Sequence, residues 1–138
     1  MDEIKKFLKR WCLWKDCESD PILSHEKDAI FYSINNFFKL GLKGIFIRID
    51  GRIEAMAIFE EMNSDTILVH YEKASNNYVG LYKAINQETA KIVRDDYKFI
   101  NRESDMGISG LRRAKLAYRP HHMIEVFHLE RSELSKIF

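Results

Sequence analysis

The sequence is poor in residues that interrupt or cross-link a chain, because its 138 residues include two cysteines, two prolines and six glycines. Cys12 and Cys17 are five positions apart, which does not match the paired spacing of a zinc site. This spacing also sets them on different faces of a helix. We therefore expect two reduced thiols in a cytoplasmic protein, with no metal site.

Long apolar runs are also missing. None approaches the ~20 residues of a membrane-spanning helix, and the start lacks the apolar core of a signal peptide. The net charge of +1 excludes a general attraction to nucleic acid or membranes, so such an affinity needs a local patch. The basic face of the first helix, with Lys5, Lys6, Lys9 and Arg10, is a candidate for peripheral membrane or RNA contact; ordinary solvation is the alternative.

The apolar material that is present is enough for a core. Hydrophobic residues make up 46% of the chain and aromatic residues 12%, which predicts a folded protein rather than a disordered one. No linker, internal repeat or low-complexity segment divides the sequence. We therefore expect a single domain over residues 1–138.

The hydrophobic pattern predicts helices and strands in a mixed order. Helical spacing covers residues 2–15, 24–41, 78–94, 109–119 and 131–138, and β-rich runs cover residues 45–49, 52–59, 66–72, 97–101 and 123–129. Asp50-Gly51 marks a hairpin between the first two strands. This order predicts an α/β (α+β) mixed sheet flanked by helices, and it resembles the GNAT acyltransferase fold without its usual first strand.

Two elements carry specific expectations. The second helix is expected to begin at the cap Ser24, to end at Gly41 and to bury one apolar stripe, which consists of Ile30, Ile34, Phe37 and Phe38. The third strand is expected to alternate strictly, with Leu68, His70 and Glu72 on one face and Ile67, Val69 and Tyr71 on the other.

Residues 101–120, NRESDMGISGLRRAKLAYRP, separate their charges: the acids Glu103 and Asp105 precede a glycine-containing turn, and four cations follow. A helix with Ser109 as N-cap would present one basic row, Arg112, Lys115 and Arg119, and turn an apolar stripe toward a core, namely Ile108, Leu111, Ala114 and Tyr118. The basic row predicts an anionic partner. Acids that cap the helix and cations that are solvated form the alternative.

The run at residues 99–120 closely resembles the signature of the bacterial phosphatidylglycerol lysyltransferase C-terminal family. That signature has an Asn-Arg-Glu, an Asp-x-Gly and a Leu-Arg-x-Ala-Lys-x-x-Tyr-x-Pro in this order. A second block, VHYEKA at residues 69–74, is similar to the family's strand end, and Gly80, Tyr82 and Asn86 fit the helix that follows. The resemblance covers residues 24–120 and implies a GNAT-like fold.

The resemblance also implies a function, the transfer of an aminoacyl group from aminoacyl-tRNA to an amine or hydroxyl acceptor. Characterised members use a lipid head group as acceptor and carry two tandem GNAT-like units, whereas this sequence matches the second. A homodimer, or a partner that supplies the other unit, is therefore expected. The candidates carried over are catalytic Glu72, Lys73 and Asp105, and substrate-binding Asn101, Arg102, Arg112, Lys115 and Tyr118.

Several alternatives stay open from the residues themselves. His70 is a candidate general base near Glu72, although a lone strand histidine is more often packed. The segment KASNNYVG at residues 73–80 has one late glycine for a pyrophosphate, which disfavours acetyl-CoA-dependent N-acetylation and leaves no other cofactor implied. The remaining histidines, including His121, His122 and His128, lack metal-site companions. A non-catalytic binding or dimerisation module is the competing class of function.

Overall fold

The computed structural model describes residues 1–127 and residue 130. The chain forms two compact units, Met1–Glu103 and a second that begins at Ser104. The first unit contains α1 (Asp2–Lys15), α2 (Pro21–Asn35), β1 (Lys43–Ile49), β2 (Arg52–Asn63), β3 (Thr66–Ala74), α3 (Leu81–Val93) and β4 (Phe99–Asn101). The second unit contains α4 (Ser109–Leu116).

The first unit is built on a mixed four-stranded sheet in the order β1-β2-β3-β4. The first two pairs are antiparallel, and β3 and β4 are parallel because α3 forms the crossover between them. Asp50 and Gly51 have φ angles of 48° and 76°, which match the tight hairpin turn that their residue types favour. The predicted mixed sheet with flanking helices is confirmed.

Helices cover both faces of the sheet. On one face α1 and α2 pack against β2, and this core includes Phe7, Leu8, Trp11, Ile30, Ile34, Met56 and Ile58. On the other face α3 packs against the small residues of the same strand, with Leu81, Ile85, Ala55 and Ala57 in contact. The central strand β2 is therefore buried on both sides, as its adjacent apolar residues indicated.

The second helix differs from its prediction at both ends. Its N-cap is Asp20, whose carboxylate accepts hydrogen bonds from the N–H groups of Ile22 and Leu23, and Pro21 occupies the first helical position. The helix ends at Asn35, well before Gly41. Phe38 consequently lies in the turns that follow and is 89% exposed, so its predicted place in the core is wrong.

The third strand does not alternate strictly. Tyr71 pairs with Ile58 and Val69 pairs with Phe59, so His70 is an extra residue at a β-bulge. A bulge shifts the alternation by one position. Glu72 therefore faces α3, like Val69, and the predicted set of Leu68, His70 and Glu72 on one face is wrong.

The two cysteines also lie differently from their prediction. Asp16 ends α1 in the left-handed conformation, and the Cys17 N–H then donates to the carbonyl oxygen of Cys12 at 3.1 Å. The reversal of the chain brings the thiols together, so they are not on separate faces. Burial, with a hydrogen bond from the Cys12 thiol to Cys17, raises the pKa of the Cys12 thiol to about 12. Both cysteines are free thiols.

The second unit is less helical than predicted. Its helix has Ile108 rather than Ser109 as N-cap and ends at Leu116, so Arg119, at φ 51°, lies beyond it. No residue of α4 is buried, and Ile108 and Tyr118 are exposed, so the predicted core-facing stripe is wrong. Residues 123–127 form no strand; the rest of that prediction, His128 and the predicted helix at 131–138 lie outside the described residues.

Within the described residues, no helix combines the length and the apolarity that crossing a bilayer would need.

Candidate functional site

Glu72, at the carboxyl end of β3, is held by side chains from two other elements. Its Oε1 accepts a 2.8 Å hydrogen bond from Nδ2 of Asn86 in α3. Its Oε2 accepts from the guanidinium of Arg102, which follows β4 directly. Parallel β3 and β4 bring their carboxyl ends to one edge of the sheet, and this brings Arg102 within reach. We call these three residues the Glu72 cluster.

The Glu72 cluster presents a fixed acceptor. The Glu72 side chain is only 10% exposed, and both of its oxygens are engaged, one by a charge-assisted bond. Each carboxylate oxygen has two lone pairs, so each oxygen keeps one for a further donor. Such a carboxylate can accept a proton or hold an ammonium group, provided that a substrate reaches this edge of the sheet.

Lys73 lies on the opposite face of the sheet from Glu72. Its Nζ donates to Glu26 of α2 at 2.7 Å and lies 4.5 Å from the centre of the Trp11 ring. The lysine side chain is 9% exposed. The structure therefore does not bring the two neighbouring candidates together, and the contacts of Lys73 are those of a residue that joins the sheet to α1 and α2.

One hydrogen bond joins α1, whose Trp11 lies next to Lys73, to α3. The indole N–H of Trp11 donates to the hydroxyl oxygen of Tyr82 at 3.1 Å. Burial raises the pKa of Tyr82, which keeps the phenol in its neutral form. The family resemblance identified Tyr82. Its hydroxyl bonds to Trp11, the aromatic residue beside Lys73, and not to the Glu72 cluster.

His70 lies between two carboxylates. Its Nδ1 is 2.8 Å from Oε1 of Glu103, and its Nε2 is 3.1 Å from Oε1 of Glu60. Asn101 shapes the turn that carries Glu103, because its Oδ1 accepts from the Glu103 N–H at 2.8 Å. Sequence reasoning missed Glu60 as a partner, and no local pattern points to it, because the contact depends on the pairing of β2 with β3.

In the second unit the candidates are tied to one another. Asp105 accepts from Nε of Arg112 at 2.6 Å and from the N–H of Gly107 at 2.9 Å. The bond from Arg112 lowers the pKa of Asp105, and the same pair raises the pKa of Arg112. Lys115 donates to the carbonyl oxygen of Ser104 at 2.8 Å. Arg112 and Lys115 therefore bind the loop before α4 and do not form a separate basic row.

The segment between β3 and α3 uses some of its own backbone donors. The Ser75 N–H donates to the carbonyl oxygen of Glu54 at 2.8 Å, and the Asn77 N–H donates to the Ser75 hydroxyl at 3.2 Å. Gly80, at φ 82°, is the N-cap of α3 and has no side chain to cap it. The unfavourable fit of this segment to coenzyme A stays a prediction. Across residues 1–127 and 130, no group of three histidine, cysteine or acidic side chains is arranged to hold a metal ion.

Comparison with known proteins identifies relatives. The family model described as phosphatidylglycerol lysyltransferase, C-terminal, matches residues 1–130. A conserved protein of unknown function from Bacteroides thetaiotaomicron VPI-5482 has 38% sequence identity to this chain over 88% of this chain's length. The crystal structure of that protein matches the fold with a TM-score of 0.82. The match covers 42% of that protein, so this chain spans less than half of the relative's length. No curated protein matches the chain.

Two solved acetyltransferases share the fold at low identity. A ribosomal-protein-alanine N-acetyltransferase from Brucella melitensis biovar Abortus 2308 is 13% identical, with a TM-score of 0.56, over 73% of this chain and 79% of its own. An acetyltransferase from Trypanosoma brucei is 14% identical, with a TM-score of 0.52, over 72% of this chain and 76% of its own. The fold is therefore GNAT-like.

Proposed function

Because the chain belongs to the phosphatidylglycerol lysyltransferase C-terminal family, we propose that it is an acyltransferase that moves an aminoacyl group from aminoacyl-tRNA to an amine or hydroxyl acceptor. The Glu72 cluster is the observation that carries the proposal. It fixes a nearly buried carboxylate at the strand edge where ligands of α/β proteins commonly bind, and it adds a guanidinium from the motif that defines the family resemblance.

The proposed reaction needs a base and a site for developing charge. The acceptor's nitrogen or oxygen attacks the ester carbonyl of aminoacyl-tRNA, its proton passes to a base, and the ribose hydroxyl leaves with a proton. Glu72 is the proposed base, or the group that holds the α-ammonium of the aminoacyl moiety. Asn86 and Arg102 act on the reaction through Glu72, by fixing the orientation of its carboxylate.

The second unit supplies cations for the nucleic acid in this proposal. Arg113 is exposed on α4, and Arg112 stays partly exposed while it bonds to Asp105. Contacts between such cations and phosphates weaken steeply as salt rises, because bound counterions are released. We therefore expect the affinity for tRNA to fall when salt is raised from about 50 to 200 mM. The fall should be roughly tenfold for every two or three phosphates that the protein contacts.

The test incubates the full chain with tRNA charged with a labelled amino acid. Loss of the ester is followed with and without candidate acceptors, including phosphatidylglycerol vesicles, free amines and glycerol. The proposal predicts loss that depends on an acceptor and a labelled acceptor product. Asp105→Asn, which keeps the side-chain shape but weakens the bond that anchors Arg112, is expected to reduce transfer by weakening tRNA binding, whereas Asp95→Asn, on the exposed turn after α3, leaves it unchanged.

Two other functions are favoured by specific observations. The acetyltransferase fold favours transfer from acetyl-CoA. The contacts of Lys73, which join the sheet to α1 and α2, favour a non-catalytic binding or dimerisation module. Acetyl-CoA in place of charged tRNA tests the first, and mass spectrometry of the purified protein detects retained coenzyme A. Stable tRNA binding without any transfer, together with dimerisation in sedimentation experiments, would replace our proposal with the second.

A further inference from the structure

A groove opens between α2 and the sheet, on the face opposite the Glu72 cluster. Its volume is about 640 Å³. Its lining comes from α2, from β2 and β3, and from the turn that precedes β1. Pockets that enclose small molecules commonly measure about 300–1,000 Å³. The groove is therefore large enough for a small organic molecule, and three separate elements hold its walls.

Aromatic and aliphatic side chains form much of this wall. Tyr32 of α2 is 64% exposed and Leu40 is 43% exposed, and both line the groove. Tyr71 lines it from β3, with its hydroxyl 3.5 Å from the Ser33 hydroxyl. Exposed rings of this kind offer an apolar surface and a π-face, which favour a ligand with an aromatic or aliphatic body.

Two carboxylates and a histidine give the lining its ionisable groups. Asp28 and Glu60 line the groove, and none of the described residues around it is a lysine or arginine. His70 also lines it, with its Nε2 at 3.1 Å from Oε1 of Glu60 and its Nδ1 at 2.8 Å from Oε1 of Glu103. Carboxylates beside tyrosine rings are the surroundings that an organic ammonium group prefers, because both attract positive charge.

We infer that this groove binds an organic cation, a primary amine carried on an aromatic or aliphatic body. The amine would lie between Asp28 and Glu60, and the body would lie against Tyr32 and Leu40. The inference goes beyond the proposed transfer reaction and does not depend on it, because the groove and the Glu72 cluster lie on opposite faces of the sheet.

The test uses two probes that differ in one group. Tyramine carries an ammonium, and tyrosol carries a hydroxyl on the same aromatic body. Titration of the ¹⁵N-labelled full chain with tyramine is expected to shift the amide signals of Ala29, Ser33 and Tyr71, which line the groove. We expect tyramine to bind at least about fivefold more tightly than tyrosol, since two carboxylates contribute.

Matched variants decide whether the groove is responsible. Asp28→Asn and Glu60→Gln are each expected to weaken tyramine binding about threefold, and to leave tyrosol binding unchanged. Asp95→Asn removes one acid from the exposed turn after α3 and is expected to change neither affinity. Asp28 lies on the exposed side of α2, so its variant folds even if Glu60→Gln does not. Equal affinities for the two probes, absent binding at 10 mM, or equal losses in Asp95→Asn would overturn the inference.

Discussion

The contacts of Glu72 give this residue two roles that experiments can separate, one in stability and one in chemistry. Asn86 and Arg102 satisfy its two oxygens, and the side chain is almost buried. Removal of one partner of a buried polar group costs more than the bond contributes, because the remaining group loses both water and its partner. Removal of a partner from the Glu72 cluster should therefore lower the free energy of unfolding, which can be measured without a transfer assay.

Asn86→Ala tests that role. We expect it to lower the free energy of unfolding by about 1–3 kcal/mol, because Oε1 of Glu72 loses its donor. Urea unfolding followed by circular dichroism measures the change. The control is Gln87→Ala, which is on the exposed side of the same helix and should alter stability by less than about 0.5 kcal/mol. Equal effects of the two variants would show that Asn86 does not support Glu72.

Cys12 gives a second prediction at this scale. The shift of its pKa from 9.0 to about 12 leaves on the order of a thousandfold less thiolate at pH 8 than an ordinary thiol has. Iodoacetamide should therefore label Cys12 much more slowly in the folded protein than in urea. Trypsin separates Cys12 from Cys17 at Lys15, so mass spectrometry reads each rate. Equal rates in the two states would contradict the burial of Cys12.

The raised pKa of Cys12 also makes the stability of the fold depend on pH. A raised pKa means that folding favours the neutral thiol, so this contribution is fully present below pH 9 and is lost as the pH rises toward 12.

Among the elements, α4 uses two of its three cations to bond to the loop that precedes it. Arg112 and Lys115 return to the loop that precedes their own helix, where Asp105 and the Ser104 carbonyl accept from them. A helix with few apolar contacts depends more on such local bonds. The loop and α4 should therefore respond together when Asp105 loses its charge.

Titration of Asp105 tests this link. Its pKa lies below the ordinary 3.8 because Arg112 donates to it, so the pair stabilises the loop above that pH and is lost as the pH falls through the lowered pKa. NMR detection of the Asp105 carboxyl carbon should show the pKa rising toward its ordinary value in Arg112→Gln. Arg113→Gln, the neighbouring cation on α4, should leave it almost unchanged. A rise of equal size in both variants would point to general charge effects instead.

At the scale of the whole molecule, local signals were readable from the sequence. Asp50-Gly51 gave the hairpin because its residue types alone favour the turn. The Asp20-Pro21 start of α2 is an equally local signal, so the sequence alone contains enough information to correct the prediction of Ser24 as the cap. The family motif correctly identified the family and the GNAT-like fold.

Features that depend on distant pairing could not be read in this way. The bulge at His70 exists because β2 and β3 pair with a shifted register, and strict alternation within β3 cannot show it. Glu72 meets partners 14 and 30 positions away, and Lys73 meets Glu26 across 47 positions. The sequence named most of these residues, but only the packing of the sheet against its helices shows which of them meet.

Glu72 is the residue on which the proposed transfer reaction depends most, because it is the group that acts on the substrate. The direct measurement compares kcat/KM for acceptor-dependent aminoacyl transfer in Glu72→Gln and Glu88→Gln, where Glu88 is an exposed acid on α3 that pairs with Lys91. We predict a loss of at least about 100-fold in Glu72→Gln, which is the usual effect of removing a positioned acid or base, and no loss in Glu88→Gln. Equal rates in a folded Glu72→Gln variant and the unaltered chain would contradict the account.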